Sequence, residues 1–188
     1  MLSGRRLDLL DPSPFDIEIE DIARGLARGA RWNGQTSGAH AVSVAEHSVV
    51  VEDLLGRLYP DSTAAERLTC LLHDAPEYVV GDMISPFKQA LGADYKSVER
   101  RIEHAVNTRF GLPAKTPARL YRRIKRCDVI CAYFEAVQIA GFTQDEASKF
   151  FIVPPDGVEV RIDPKPVVAA ETAFLERFRA LDAAVRAA

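Results

Sequence analysis

Apolar side chains recur at three- and four-residue spacing over most of this chain, the period of a helix with one buried face and not of a strand. Val44, His47, Val51, Leu54 and Leu58 form one such stripe. Ser43-Val44-Ala45-Glu46 stands at its start as a capping box, in which the serine and glutamate satisfy free backbone N–H groups. Thr63-Ala64-Ala65-Glu66 opens a second helix with Leu68, Leu71 and Leu72 inward, ended or bent near Pro76. A short helix is expected over residues 20–28, then a polar, glycine-rich loop over 31–38. Asp94 can cap a helix with Val98, Ile102, Ala105 and Val106 on one face, stopped by Gly111. Pro117 precedes a helix bearing Leu120, Ile124, Asp128, Cys131 and Phe134, ended by Gly141. A last helix over 167–185 places Phe174, Phe178 and Leu181 on one side. Residues 150–166 hold four prolines and one alternating run, 158–162, which fits a loop or a short strand pair. The expected fold is all-α: a single-domain helical bundle over 1–188, with its core in 16–140, a C-terminal loop and helix in 141–188, and at most a strand pair near 150–163.

Bulk properties narrow the function. The 188 residues are 47% hydrophobic, enough for one core of ordinary size. A net charge of −3 gives no general attraction to nucleic acid polymers or anionic membranes, and leaves room for a local basic pocket. No apolar run approaches the roughly 20 residues that cross a bilayer. Residues 1–11 are basic and then acidic, without an apolar stretch of signal-peptide length, so a cytoplasmic location is expected. Cys70, Cys127 and Cys131 lie inside helical patterns and are expected as small core residues without a disulfide framework.

Three of the helices carry a metal-type side chain on a face that should be apolar. His47 lies among Val44, Val51 and Leu54, His73-Asp74 ends the Leu68–Leu72 stripe, and Asp128 follows Ile124 by one turn. A carboxylate on a buried face is costly unless paired or bound to a cation. One shared divalent cation accounts for all four residues. Adjacent residues on a helix point about 100° apart, so His73 and Asp74 reach one ion only at the helix surface, with His47 and Asp128 closing the other side. Two imidazoles and two carboxylates suit Mn, Fe, Co or Zn better than Ca. Octahedral coordination by these four leaves two positions for water or a substrate oxygen.

The order His47, His73-Asp74, Asp128 resembles the H…HD…D signature of the HD-domain hydrolases. His73-Asp74-Ala75-Pro76-Glu77, Gly81-Asp82 and Pro86-Phe87-Lys88 are similar to one branch, the bacterial 5′-deoxynucleotidases and related deoxynucleotide phosphohydrolases. Arg31-Trp32 upstream of Glu46-His47-Ser48 matches that branch too, and the likeness spans residues 16–140. The resemblance implies a single divalent metal ion on His47, His73, Asp74 and Asp128. It implies Glu77, one turn after His73, as general acid or base, and Asp82 as a residue that orients water beside metal and phosphate. Arg31 and Lys88 are implied as the cations that hold the phosphoryl group, and Trp32 as a wall near sugar and base. Taken alone, each cation reads as surface charge, Trp32 as core and Asp82 as a turn residue.

The implied reaction is removal of the 5′-phosphate from a 2′-deoxynucleoside monophosphate. Release of tripolyphosphate from a deoxynucleoside triphosphate is the alternative, and a non-catalytic nucleotide sensor the second one. Family analogy implies a homo-oligomer. Only His104 falls between Asp74 and Asp128, which argues against a second metal. Glu135, two turns beyond Asp128, is either a hydrogen-bond partner behind the site or exposed. The basic run Arg119, Arg122, Arg123, Lys125 and Arg126 is either a solvated face or a lure for anions at a pocket mouth.

Overall fold

A computed structural model describes residues 1–188, the side chain of Ser85 excepted. Eight α-helices follow one another: α1 (Ile19–Arg28), α2 (Val44–Leu58), α3 (Ala64–Leu71), α4 (Glu77–Val80), α5 (Ser85–Arg109), α6 (Ala118–Gln138), α7 (Gln144–Ala147) and α8 (Val167–Arg186). Short 3₁₀ turns at Pro14–Asp16 and Arg31–Gly34 flank α1. The fold is all-α, as the apolar periodicity requires. No helix among the described residues is long and apolar enough to cross a membrane.

Both anticipated capping boxes form. The Glu46 backbone N–H donates to Ser43 Oγ at 3.2 Å, while the Ser43 N–H donates back to Glu46 Oε2 at 2.9 Å. Thr63 and Glu66 repeat the exchange at the start of α3. α5 begins earlier than Asp94: Pro86 occupies its first turn, and Gly92, at φ 76° and ψ −149°, interrupts it where an L side chain is strained.

α2 lies between two apolar clusters. One joins Ile22 and Leu26 of α1, Leu68 and Leu71 of α3, Ile102 and Val106 of α5, and Phe174 and Phe178 of α8. The other joins Val51, Leu54 and Leu55 of α2 to Ile124, Cys127, Ile130 and Cys131 of α6. α8 packs against α1, α2 and α3, so the C-terminal helix is part of the main core. All three cysteines are free and buried, as expected.

Residues 150–163 form no strand pair, contrary to one of the two readings of that stretch. Side chains take the backbone bonds that a partner strand would take. Gln138 Nε2 donates to the Val160 carbonyl at 2.7 Å, and Gln138 Oε1 accepts from Ile162 N–H at 2.9 Å. Arg57 donates to the Glu159 carbonyl at 3.1 Å. Val158 and Val160 pack onto the α2–α6 cluster, so the alternating run lays one edge on helices.

A buried acid ties the bundle together. Glu52 of α2 is fully buried and accepts from Arg67 of α3 at 2.5 Å and from Arg177 of α8. Glu52→Ala leaves both guanidinium groups short of an acceptor. They are one-third exposed and regain water, which keeps the cost below that of a fully buried broken pair. Urea unfolding of Glu52→Ala is expected to show a loss of about 1–3 kcal/mol. An unchanged midpoint contradicts the assignment.

Candidate metal centre

The capping box at Ser43 sets the phase of α2 and turns His47 inward, where it is 1% exposed. His73 and Asp74 follow the end of α3, in the turn that leads to α4. α6 supplies Asp128. Gly25 of α1 allows α4 to approach, since a Cβ there meets Tyr78 Cβ at 2.7 Å, and this contact seats the short helix that begins with Glu77.

The four expected ligands converge. His47 Nε2 lies 3.2 Å from Asp128 Oδ1 and 3.7 Å from Asp74 Oδ2, and His73 Nε2 lies 3.2 Å from Asp74 Oδ2. Ligand atoms of His47, His73 and Asp128 all fall within 4.8 Å of one another. Burial alone raises the Asp74 and Asp128 carboxyl pKa values, but the adjacent imidazoles of His73 and His47 hold both below the usual carboxylate range.

Both histidines are oriented from behind. His73 Nδ1 is 2.8 Å from the Cys70 carbonyl, which can only accept, so Nδ1 carries the proton. His47 Nδ1 is 2.8 Å from Glu135 Oε1, and Glu135 is ionised: burial raises its pKa, but Arg31, His47 and Trp32 bring it down to about 2. Burial and Arg31 lower the His47 pKa, but the neighbouring Cys131, Glu135 and Asp128 carry it above the usual imidazole range, so a cation must displace a proton there; with Nδ1 as the donor in both rings, deprotonation leaves the lone pair on Nε2. These two Nε2 atoms are buried and make no hydrogen bond. Two anchored imidazoles with free nitrogens, facing two carboxylates, fit a divalent cation on chemical grounds.

Glu77 stands beside this group. Its side chain is 4% exposed, Oε2 has no partner, and Oε1 accepts from Lys88 Nζ at 2.9 Å. Burial and the neighbouring Asp74 raise its pKa to about 8, against the opposing pull of Lys88. A carboxyl in that range can hold a proton near neutrality and release it during a reaction. His73, Asp74, Glu77 and Asp128 share the wall of a cavity of about 730 Å³, within the size range of small-molecule sites.

The remaining expected site residues are placed differently. Lys88 bridges Glu77 and Glu99, with the second contact at 3.2 Å, and so positions the proposed acid. Asp82 follows Gly81 at the end of α4. Burial and Asp74 raise its pKa, while Arg31, Lys88 and His47 lower it, which places its carboxyl within the field of the same cluster. Arg31 and Trp32 are outside the cavity wall, behind His47. Arg31 Nε donates to both Glu135 oxygens at 3.1 and 3.0 Å, and Trp32 Nε1–H donates to Glu135 Oε2 at 2.8 Å. The Trp32 ring packs at 5.9 Å against both Phe142 and Phe151. Trp32 and Asn33 adopt left-handed backbone angles, φ 56° and 52°, a strain of about 1–3 kcal/mol each that the Glu135 clamp offsets.

Glu135 is thus the hub that residue spacing left undecided. It is fully buried and holds His47, Arg31 and Trp32 together. His47, Cys131 and Glu135 are also close enough to suggest a metal trio, but Arg31 already supplies their cation. The basic run on α6 divides. Arg119 and Arg123 pair with Asp61 on the surface, whereas Lys125 reaches the cavity and lies 2.6 Å from Asp128 Oδ2. His104 lines the same cavity from α5.

No protein-family model matches the sequence. YfdR of Escherichia coli, an uncharacterized protein, is 39% identical over 98 residues, which cover 52% of this chain and 49% of YfdR. An uncharacterized protein of Rhodobacter capsulatus is 55% identical over 185 residues, 96% of this chain and 93% of that protein. Identity at that level over nearly the full length of both means that the chain belongs to the same family as the Rhodobacter capsulatus protein.

Proposed function

We propose that this chain is a metal-dependent phosphohydrolase of the HD type that acts on 2′-deoxynucleotides. The observation that carries the reading is the pair of anchored histidines whose free Nε2 atoms meet Asp74 and Asp128 at the wall of a cavity shared with Glu77. A divalent cation bound by these four residues supplies Lewis acidity toward a phosphoryl oxygen and lowers the pKa of water.

The chain's own residues perform the rest. Glu135 and the Cys70 carbonyl fix the imidazoles so that their nitrogens point into the site without rearrangement. Glu77 holds a proton at its unpartnered Oε2 and passes it to the leaving oxygen, while Lys88 keeps Oε1 in place. Preference for a deoxyribose sugar rests on the resemblance of the H…HD…D and Arg31-Trp32 motifs. That resemblance favours a 5′-monophosphate substrate. Lys96, Arg100, Lys115 and Lys125, which also line the cavity, favour the second reading, release of tripolyphosphate from a deoxynucleoside triphosphate.

The reaction is tested by supplying Mn, Co, Zn or Mg to the purified protein with dNMP, dNTP and matching ribonucleotide panels, and identifying the product. Orthophosphate from monophosphates or tripolyphosphate from triphosphates is expected, only with metal, and faster from the deoxy substrate. No release above the metal-free control from any of them contradicts the proposal. Equal rates on deoxy- and ribonucleotides remove the sugar assignment alone.

A further inference from the structure

The cavity wall differs in character with exposure. Its buried and half-buried part carries His73, Asp74, Glu77 and Asp128, and its exposed rim, the mouth, carries Lys96, Arg100, Lys115 and Lys125. Lys96 and Arg100 are one helical turn apart on α5, and Lys115 faces the same space from the segment before α6. Every acid of the cavity wall except Glu103 has a basic partner. Asp128 pairs with Lys125, Glu99 accepts from Lys88, and Glu103 accepts from Thr116 Oγ1 at 3.1 Å. Among the described residues, Lys96, Arg100 and Lys115 make no ion pair. Like charges at i and i+4 repel, and a lone surface cation ordinarily points to water. Three cations gathered on the mouth of one walled cavity lower the energy of an anion that extends from the buried part outward.

We propose that Lys96, Arg100 and Lys115 form a second anion subsite, occupied by a phosphoryl group of the substrate other than the one attacked at the metal centre. The inference rests on the phosphohydrolase reading and narrows its substrate class to nucleotides that carry at least two phosphoryl groups. Arg100 donates through Nε to the Lys96 carbonyl at 3.2 Å, which leaves its two terminal nitrogens for phosphoryl oxygens, and the lysines act as point charges. The second group belongs either to a 5′-polyphosphate chain or to a phosphate on the sugar 3′-oxygen, and both present anionic phosphoryl oxygens.

Calorimetric binding to metal-loaded Glu77→Gln protein separates these cases without turnover. The probes are dAMP, dADP and deoxyadenosine 3′,5′-bisphosphate, at low and at moderate salt. At least one doubly phosphorylated probe is expected to bind about 10-fold or more tightly than dAMP, with the difference shrinking as salt rises. The tighter of the two identifies the source of the second group. The triple variant Lys96→Gln, Arg100→Gln, Lys115→Gln is expected to bring the ratio close to one, and Arg122→Gln, an exposed cation outside the cavity, to leave it unchanged. Equal affinity for all three probes, no binding of any, or a ratio that survives the triple variant overturns the subsite. So does an equal loss in Arg122→Gln, which marks a non-specific charge effect. Metal-dependent phosphate release with equal affinities removes the subsite and keeps the hydrolase. Unequal affinities without release from any substrate remove the hydrolase and keep the subsite.

Discussion

Replacing Glu77 with glutamine is expected to lower turnover by roughly 10²–10⁴-fold while metal content stays at the wild-type level. Glutamine keeps the size of the side chain and can still accept from Lys88, so the cavity wall is preserved. It cannot release a proton. Glu77 is suited to that task because burial and Asp74 raise its pKa to about 8, and because Oε2 has no competing partner. The check pairs steady-state kinetics with metal analysis of the same sample. Unchanged turnover removes Glu77 from the mechanism. Loss of metal together with turnover assigns it a structural role instead.

The second large effect is expected at a residue that touches no substrate. Glu135 holds His47 by its Nδ1, and the side chains behind metal-ligating histidines are typically worth about 10–100-fold in metal affinity. Glu135→Ala also leaves the Arg31 guanidinium buried without its partner, at about 3–5 kcal/mol, so Glu135→Gln is the variant to measure if the alanine form does not fold. Metal titration of Glu135→Gln is expected to show weaker binding of that order. Trp32, the sole tryptophan, reports the same event independently, because its indole N–H donates to Glu135. Its emission should change in Glu135→Gln before any metal is added. Wild-type metal affinity together with wild-type emission contradicts the positioning role.

Local signals were the ones legible in the sequence. The Ser43/Glu46 and Thr63/Glu66 boxes state where α2 and α3 begin, and with that phase His47 must face inward. Thr143/Glu146 is a third box of the same form, and it caps the short α7. The four metal-type side chains were legible because each interrupts an apolar stripe. Glu135 was harder to place, since its partners lie 104, 103 and 88 residues away and no spacing rule links them. The motif places Arg31 and Trp32 beside the substrate, and it gives no sign that both also donate to Glu135. Asn33-Gly34 marks a turn there, but nothing in the spacing shows that Trp32 shares its left-handed backbone or that the turn points both side chains at Glu135. The cations of the cavity mouth are hard to recognise in the sequence for a similar reason. Lys96 and Arg100 look like an ordinary solvated face until Lys115 and the metal-side residues are seen across the same cavity.

Metal analysis of the purified protein tests the central claim most directly. Wild-type protein prepared without chelator, and then supplied with Mn, Co or Zn, is expected to retain one divalent ion per chain after gel filtration. His73→Ala and Asp128→Ala each remove one converging ligand and are expected to retain far less, with circular dichroism still helical. Wild-type occupancy in both variants, or no retained ion in the wild type under any of the three metals, contradicts the account.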